Sequence, residues 1–160
     1  MVIDRFEDEK VEVVFAYFPV WEMFFSMHVL VDSDHHLYRR RWAKRIGEKE
    51  PELVKHMIDM SAATDKWLFV IDSPKWSQMR QMEIEELISC LQEKNIYQWN
   101  DMIEYTGRRM DIARRDAVIR VIKEYYERVF MREERLLRPY LTRILQKEQE
   151  LCKRLGIWRW

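Results

Sequence analysis

Apolar residues recur along most of this chain at helical spacing. Val20, Met23, Phe24, Met27 and Leu30/Val31 follow Pro19 at i, i+3, i+4 and i+7 intervals. That spacing predicts a helix opened by proline in its first turn, with one apolar face. Asp32-Ser33-Asp34 breaks it. Residues 37–47 predict a second, basic helix stopped by Gly47. Pro51 opens a third, with Leu53, Val54, Met57, Ile58 and Met60 as its apolar members. Ser73-Pro74 has the form of an N-cap and first-turn pair. The helix after it is marked by Met79, Met82, Ile84, Leu87, Ile88 and Leu91, and ends at Asn95. A short helix from about 97 to 105 follows, ending near Gly107. Asp111 can cap the last and longest segment. Its apolar members run Val118, Val121, Ile122, Tyr125, Tyr126, Val129 and Phe130, then Leu136, Leu137, Tyr140, Leu141, Ile144 and Leu145. Pro139 is expected to kink or divide it.

Two segments depart from this period. Residues 10–18 are β-branched and aromatic with partial alternation, which predicts one short strand. Trp67–Asp72 is short and apolar, and fits a strand or the end of a helix equally well. The prediction is therefore a mostly α fold: a compact helical domain of about six or seven helices with a minor N-terminal strand element, spanning residues 1–160 as one domain. In the last segment Val118, Ile122, Tyr125, Val129, Leu136, Tyr140 and Ile144 form a wide stripe. It reads as core or as a homodimer seam, because no strict heptad holds.

Composition supports a true core, with 48% apolar and 35% charged residues, which excludes disorder. Charge changes the picture more. The formal net charge is zero, yet residues 1–106 carry −7 and residues 107–160 carry +7. The two halves should attract, within one chain or between two. A basic helix can meet nucleic acid, but here its charge is cancelled nearby. No apolar run approaches the roughly 20 residues of a membrane span. No signal peptide is visible either, so a cytoplasmic protein is expected. Cys90 and Cys152 lie in helical patterns without ligand-spaced neighbours, and read as buried or half-buried thiols.

Candidate chemistry is sparse. The three glycines, Gly47, Gly107 and Gly156, are too scattered to cradle a phosphate. No Gly-x-Ser-x-Gly, His-Glu-x-x-His or Cys-x-x-Cys occurs, so no catalytic residue, metal ligand or cofactor is assigned. His28, Asp32, Asp34, His35 and His36 crowd together, with His28 and Asp32 one helical turn apart. They read as a polar turn with a histidine capping the preceding helix, against a metal or ligand role. Arg39, Arg40, Arg41, Lys44 and Arg45 beside Trp42 make the densest basic patch. It reads as a solvated helix face paired with acids such as Glu48 or Glu50, against a phosphate-binding patch. Glu83, Glu85 and Glu86 read as a solvated face. Residues 84–105 have a helix-turn-helix outline, but Asp101 and Glu104 on the second helix would repel phosphate. The apolar ending Gly156-Ile157-Trp158-Arg159-Trp160 leads to the expectation that this is a piece of a longer protein.

One stretch carries a resemblance. Val11 to Phe15, then Pro19, Glu22, Ser26, Met27, His28, Val29 and Leu30, then His35-His36 before Trp42, are similar to the N-terminal region of bacterial ArsR-like transcriptional regulators. The match covers about residues 11–46, with Met27 at a position the family fills with leucine. The family's middle segment is often proline-rich, whereas this chain has only Pro74 there. The resemblance implies a helical regulatory or oligomerisation domain, with DNA contacted only through a downstream winged helix absent from this chain. It also leaves room for an effector of unknown identity. The alternatives are a helical protein-interaction module unrelated to DNA and, behind it, a small-molecule binder using the Met- and Trp-rich core.

Overall fold

The structure is a computed structural model describing residues 2–7 and 10–155, with side chains from residue 15 onward except those of 74, 76, 77 and 155. It is mostly helical. Helix α1 spans Pro19–Val31, α2 Arg40–Lys49, α3 Pro51–Ser61, α4 Phe69–Asp72, α5 Ile84–Glu93, α6 Ile96–Met102, α7 Ile112–Tyr125 and α8 Met131–Leu155. Two compact units result: Phe18–Arg132, and a second drawn from the two ends of the chain, up to Tyr17 and from Glu133 on. Among the described residues no helix is long and apolar enough to cross a membrane.

The core of the Phe18–Arg132 unit follows the predicted helical faces. Val20, Met23, Phe24 and Met27 of α1 are completely buried, as are Leu53 and Met57 of α3, Leu87 and Leu91 of α5, and Val118, Ile122 and Tyr125 of α7. Each such apolar side chain contributes about 1.5–3 kcal/mol by leaving water. Phe24 meets Phe69 edge-on at 5.5 Å between ring centroids, and Phe69 stacks on Trp99 at 6.0 Å. Trp67 and Trp99 are wholly buried, yet neither indole is left unpaired. The Trp67 Nε1–H donates to the Met57 carbonyl at 3.0 Å and the Trp99 Nε1–H to the Leu91 carbonyl at 3.1 Å. Buried donors without such partners would cost about 1–3 kcal/mol each.

Local signals explain several helix ends. Asp111 caps α7, its carboxylate accepting the Arg114 N–H at 2.7 Å. Asn95, read as the end of α5, instead begins α6 through a reciprocal capping box with Gln98. Gly107 closes the following 3₁₀ turn with φ of +68°, a conformation that favours glycine.

Several expectations need correction. Gly47 does not stop α2, which continues to Lys49. The stop comes from Pro51, because a residue before proline is pushed out of the α region, and Glu50 has φ −127° and ψ 54°. Ser73 does not cap a helix with its side chain. Its hydroxyl donates to the Met102 carbonyl at 2.9 Å, Pro74–Gln81 forms a 3₁₀ segment, and α5 starts only at Ile84. Pro139 does not divide α8. The α-helical ladder is interrupted earlier, by a π-helical turn at Tyr126–Phe130.

In the other unit, the backbone of Val2–Glu7 (β1) pairs antiparallel with Lys10–Val14 (β2), irregularly between Ile3 and Phe6. The Phe15 N–H donates to the Gln149 side chain of α8 at 3.1 Å. The Arg138 guanidinium lies 5.7 Å from the centre of the Tyr17 ring and also pairs with Glu134. Cys152 is buried and Cys90 half-buried; both are free thiols.

Candidate functional site

Several ionisable groups meet where the end of α1 faces the turn between α3 and α4. Asp65, Lys66 and Trp67 there have φ values of 49°, 51° and 71°. Left-handed conformation costs an L-residue with a side chain about 1–2 kcal/mol, so three in a row need strong support. Trp67 supplies part of it by complete burial and its bond to Met57. Thr64, also fully buried, accepts the Trp67 N–H at 3.3 Å while its hydroxyl donates to the Met60 carbonyl at 3.0 Å. The Lys66 N–H donates to the Ser61 carbonyl at 2.7 Å.

Helix α1 supplies the rest. The Lys66 carbonyl lies 2.9 Å from Nδ1 of His28. A carbonyl only accepts, so Nδ1 carries the proton. The Lys66 ammonium pairs with Asp32, and His35 reaches the other oxygen of the same carboxylate at 3.6 Å. The Lys66 hydrogen bond draws the Asp32 carboxyl below its ordinary range, helped by the charges of Lys66, His35 and His28 and opposed by burial. Burial pushes Asp72 upward, with repulsion from Asp65 adding to it. Burial likewise pushes Tyr105 up to about 12, with the same two carboxylates contributing.

The predicted histidine cluster is thus brought together in part. His28 and His36 meet edge to face at 5.2 Å, and Nε2 of His36 is buried without a hydrogen-bond partner. His35 turns to Asp32, while Asp34 is exposed beside Arg40. His28 sits in the last turn of α1, and its ring crosses to the Lys66 turn. No group of three or more His, Cys, Asp or Glu residues among the described side chains could hold a metal ion. The arrangement clamps a strained turn onto α1. Lys66, Asp65, Asp72 and Tyr105 were not singled out by sequence, and only Asp65 belongs to a residue type that tolerates positive φ.

The basic patch is exposed throughout: Arg39, Arg40, Arg41, Lys44 and Arg45 all face solvent, next to Leu37 and a fully exposed Tyr38. Arg40 bonds the Asp34 carbonyl at 3.1 Å, and Lys44 sits 3.8 Å from Glu48. Glu50 does not join the patch. It pairs with Arg128 of the π turn, which ties the acidic part of the chain to the basic part. In the helix-turn-helix outline, Trp99 faces the core, and Asp101 and Glu104 bind Lys75 at 2.5 and 3.5 Å. Of the three glutamates read as a solvated face, all are exposed, and Glu85 accepts the Tyr126 hydroxyl.

The predicted seam divides. Val118, Ile122 and Tyr125 are fully buried and Val129 nearly so, which makes them core. Leu136, Tyr140 and Ile144 remain exposed, together with Leu137. The first group lies in the Phe18–Arg132 unit, where α3, α5 and α6 pack on α7, and the second belongs to the other unit.

The residues carrying the family resemblance hold structural positions. Pro19 starts α1, and Met27, Val29 and Leu30 are buried. The Ser26 hydroxyl lies 2.6 Å from the Met23 carbonyl and 2.7 Å from the Tyr125 hydroxyl, and His28 fastens the Lys66 turn. No family model, curated protein or solved structure matches the chain.

Proposed function

We propose that this chain is the N-terminal regulatory and oligomerisation domain of an ArsR-like transcriptional regulator, working in the bacterial cytoplasm as a homodimer. Its role is positional: it sets the spacing of paired winged helices carried elsewhere in the same polypeptide, and performs no catalytic step. One observation carries the oligomerisation part. Helix α8 leaves Leu136, Leu137, Tyr140 and Ile144 exposed, whereas α7 leaves only Ile112 so and buries Val118, Ile119, Val121, Ile122 and Tyr125. The exposed residues Leu136, Tyr140 and Ile144 recur every four positions and so lie along one face. A second copy of the chain would cover that face and bury surface that otherwise costs solvation free energy. The similarity of residues 11–46 to the family's opening supports the regulatory part.

The second reading, a helical protein-interaction module unrelated to DNA, would place a different protein on the exposed Leu136, Leu137, Tyr140 and Ile144. Chromatin immunoprecipitation of the natural gene product, tagged in its own host, separates the two. The regulatory reading predicts enrichment at a few discrete promoter regions. A flat genomic profile, combined with retrieval of a stoichiometric protein partner, would favour the interaction module.

A further inference from the structure

We propose that Arg80, Trp21 and Phe18 form a binding site for a small monocarboxylate with an apolar or aromatic body. The Arg80 guanidinium sits 5.6 Å from the centre of the Phe18 ring and 5.9 Å from that of Trp21, and the two rings lie 5.7 Å apart. Arg80 thus joins Phe18 and Trp21, one helical turn apart at the start of α1, in a near-equilateral cluster. Two of them carry buried donors with nothing to donate to: Nε of Arg80 and Nε1 of Trp21 have no hydrogen-bond partner.

The two wholly buried indoles of this unit provide the contrast. Trp67 and Trp99 are more deeply buried, and each donates to a backbone carbonyl. The aromatic faces offset part of the Arg80 charge, but a ring face does not replace an acceptor for an in-plane N–H. A guanidinium whose Nε is closed off from water normally has an acceptor, and no ion pair to Arg80 is formed by the described residues. Phe18, Trp21 and Arg80 are each only half-buried, so their outer atoms meet solvent, while Nε of Arg80 and Nε1 of Trp21 are themselves covered.

The donor set defines the ligand. A guanidinium fork matches a planar carboxylate, and one cation neutralises one negative charge. The indole N–H offers a second donor for the same group. The Phe18 and Trp21 rings offer apolar walls to whatever body the acid carries. A phosphate would bring more charge than a single guanidinium balances. The site does not depend on the regulatory reading, since it requires no dimer and no DNA.

The test follows the indole N–H of Trp21 by ¹⁵N–¹H NMR on the full chain, with its signal assigned by Trp21→Phe. Benzoate should shift that signal saturably, while benzamide, of the same shape but uncharged, and inorganic phosphate should not. Arg80→Met should weaken benzoate by at least about tenfold, the loss expected for a charge-assisted hydrogen bond. Arg80→Lys, which keeps the charge without the fork, should fall between. A Trp21 signal indifferent to benzoate at tens of millimolar, equal shifts with benzamide or phosphate, or unchanged affinity in Arg80→Met would each overturn the proposal. Should Arg80→Met fail to fold by circular dichroism, Arg80→Lys and the wild-type comparison of benzoate with benzamide still decide.

Discussion

Helices α7 and α8 have similar apolar patterns and different fates. Val118, Ile122 and Tyr125 of α7 are fully buried, whereas Leu136 and Tyr140 of α8 are 68% and 61% exposed. Periodicity alone does not separate them, since all fit one stripe at α-helical spacing. Their surroundings do: α3, α5 and α6 pack on α7 within the Phe18–Arg132 unit, whereas residues from Glu133 on belong to the other unit. An apolar stripe therefore reports that a face wants covering. It does not report whether the same chain covers it.

The largest effects should come from the buried side of this comparison. Trp67→Ala removes the anchor of the left-handed turn, and should cost about 3–5 kcal/mol in urea unfolding. Ile122→Ala in α7 should cost about 2–5 kcal/mol. If Ile122→Ala is as mild as a surface change, α7 is not core and the contrast with α8 fails. Tyr125→Phe keeps the ring and removes only the hydroxyl shared with Ser26, so a loss of about 0.5–1.5 kcal/mol is expected. On the exposed side, Leu136→Ala should change stability by no more than about 0.5 kcal/mol in the same assay.

Asp72 gives a smaller, pH-dependent test in the turn region. Its folded carboxyl titrates above the ordinary value of 3.8 because burial and Asp65 oppose its charge. The unfolded chain thus ionises first, and folding loses stability as pH rises from that value through the higher folded one. Asp72→Asn should melt like wild type at low pH and above wild type at neutral pH. Asp32 has the opposite sign. Its lowered carboxyl, held mainly by Lys66, contributes stability that is lost as pH falls below the ordinary value toward the folded one. Asp32→Asn should therefore melt below wild type at neutral pH, and the difference should close in acid.

Sequence alone made α1 and α7 readable, because proline or aspartate marks their starts and their buried residues keep one period. The Asp111 cap was legible for the same reason: cap, first turn and apolar face lie within a few residues. What stayed hidden depends on distant contacts or on backbone states without a residue signature. Lys66 and Trp67 are ordinary residues by type, and their left-handed conformation is imposed by Thr64, Met57 and His28. The pairing of Glu50 with Arg128, in place of the basic patch, is likewise set by the fold. Arg80 and Trp21 carry no local motif at all. The π turn has none either, which is why Pro139 looked like the natural break.

We propose that α8, unlike α7, presents a self-association face. Sedimentation equilibrium of the wild-type chain beside the double variant Leu136→Glu, Tyr140→Glu tests it most directly. The wild type should follow a monomer–dimer equilibrium, and the variant should stay monomeric with an unchanged melting temperature. A wild type that remains monomeric at the highest attainable concentration, or a variant that dimerises equally well, would contradict the claim.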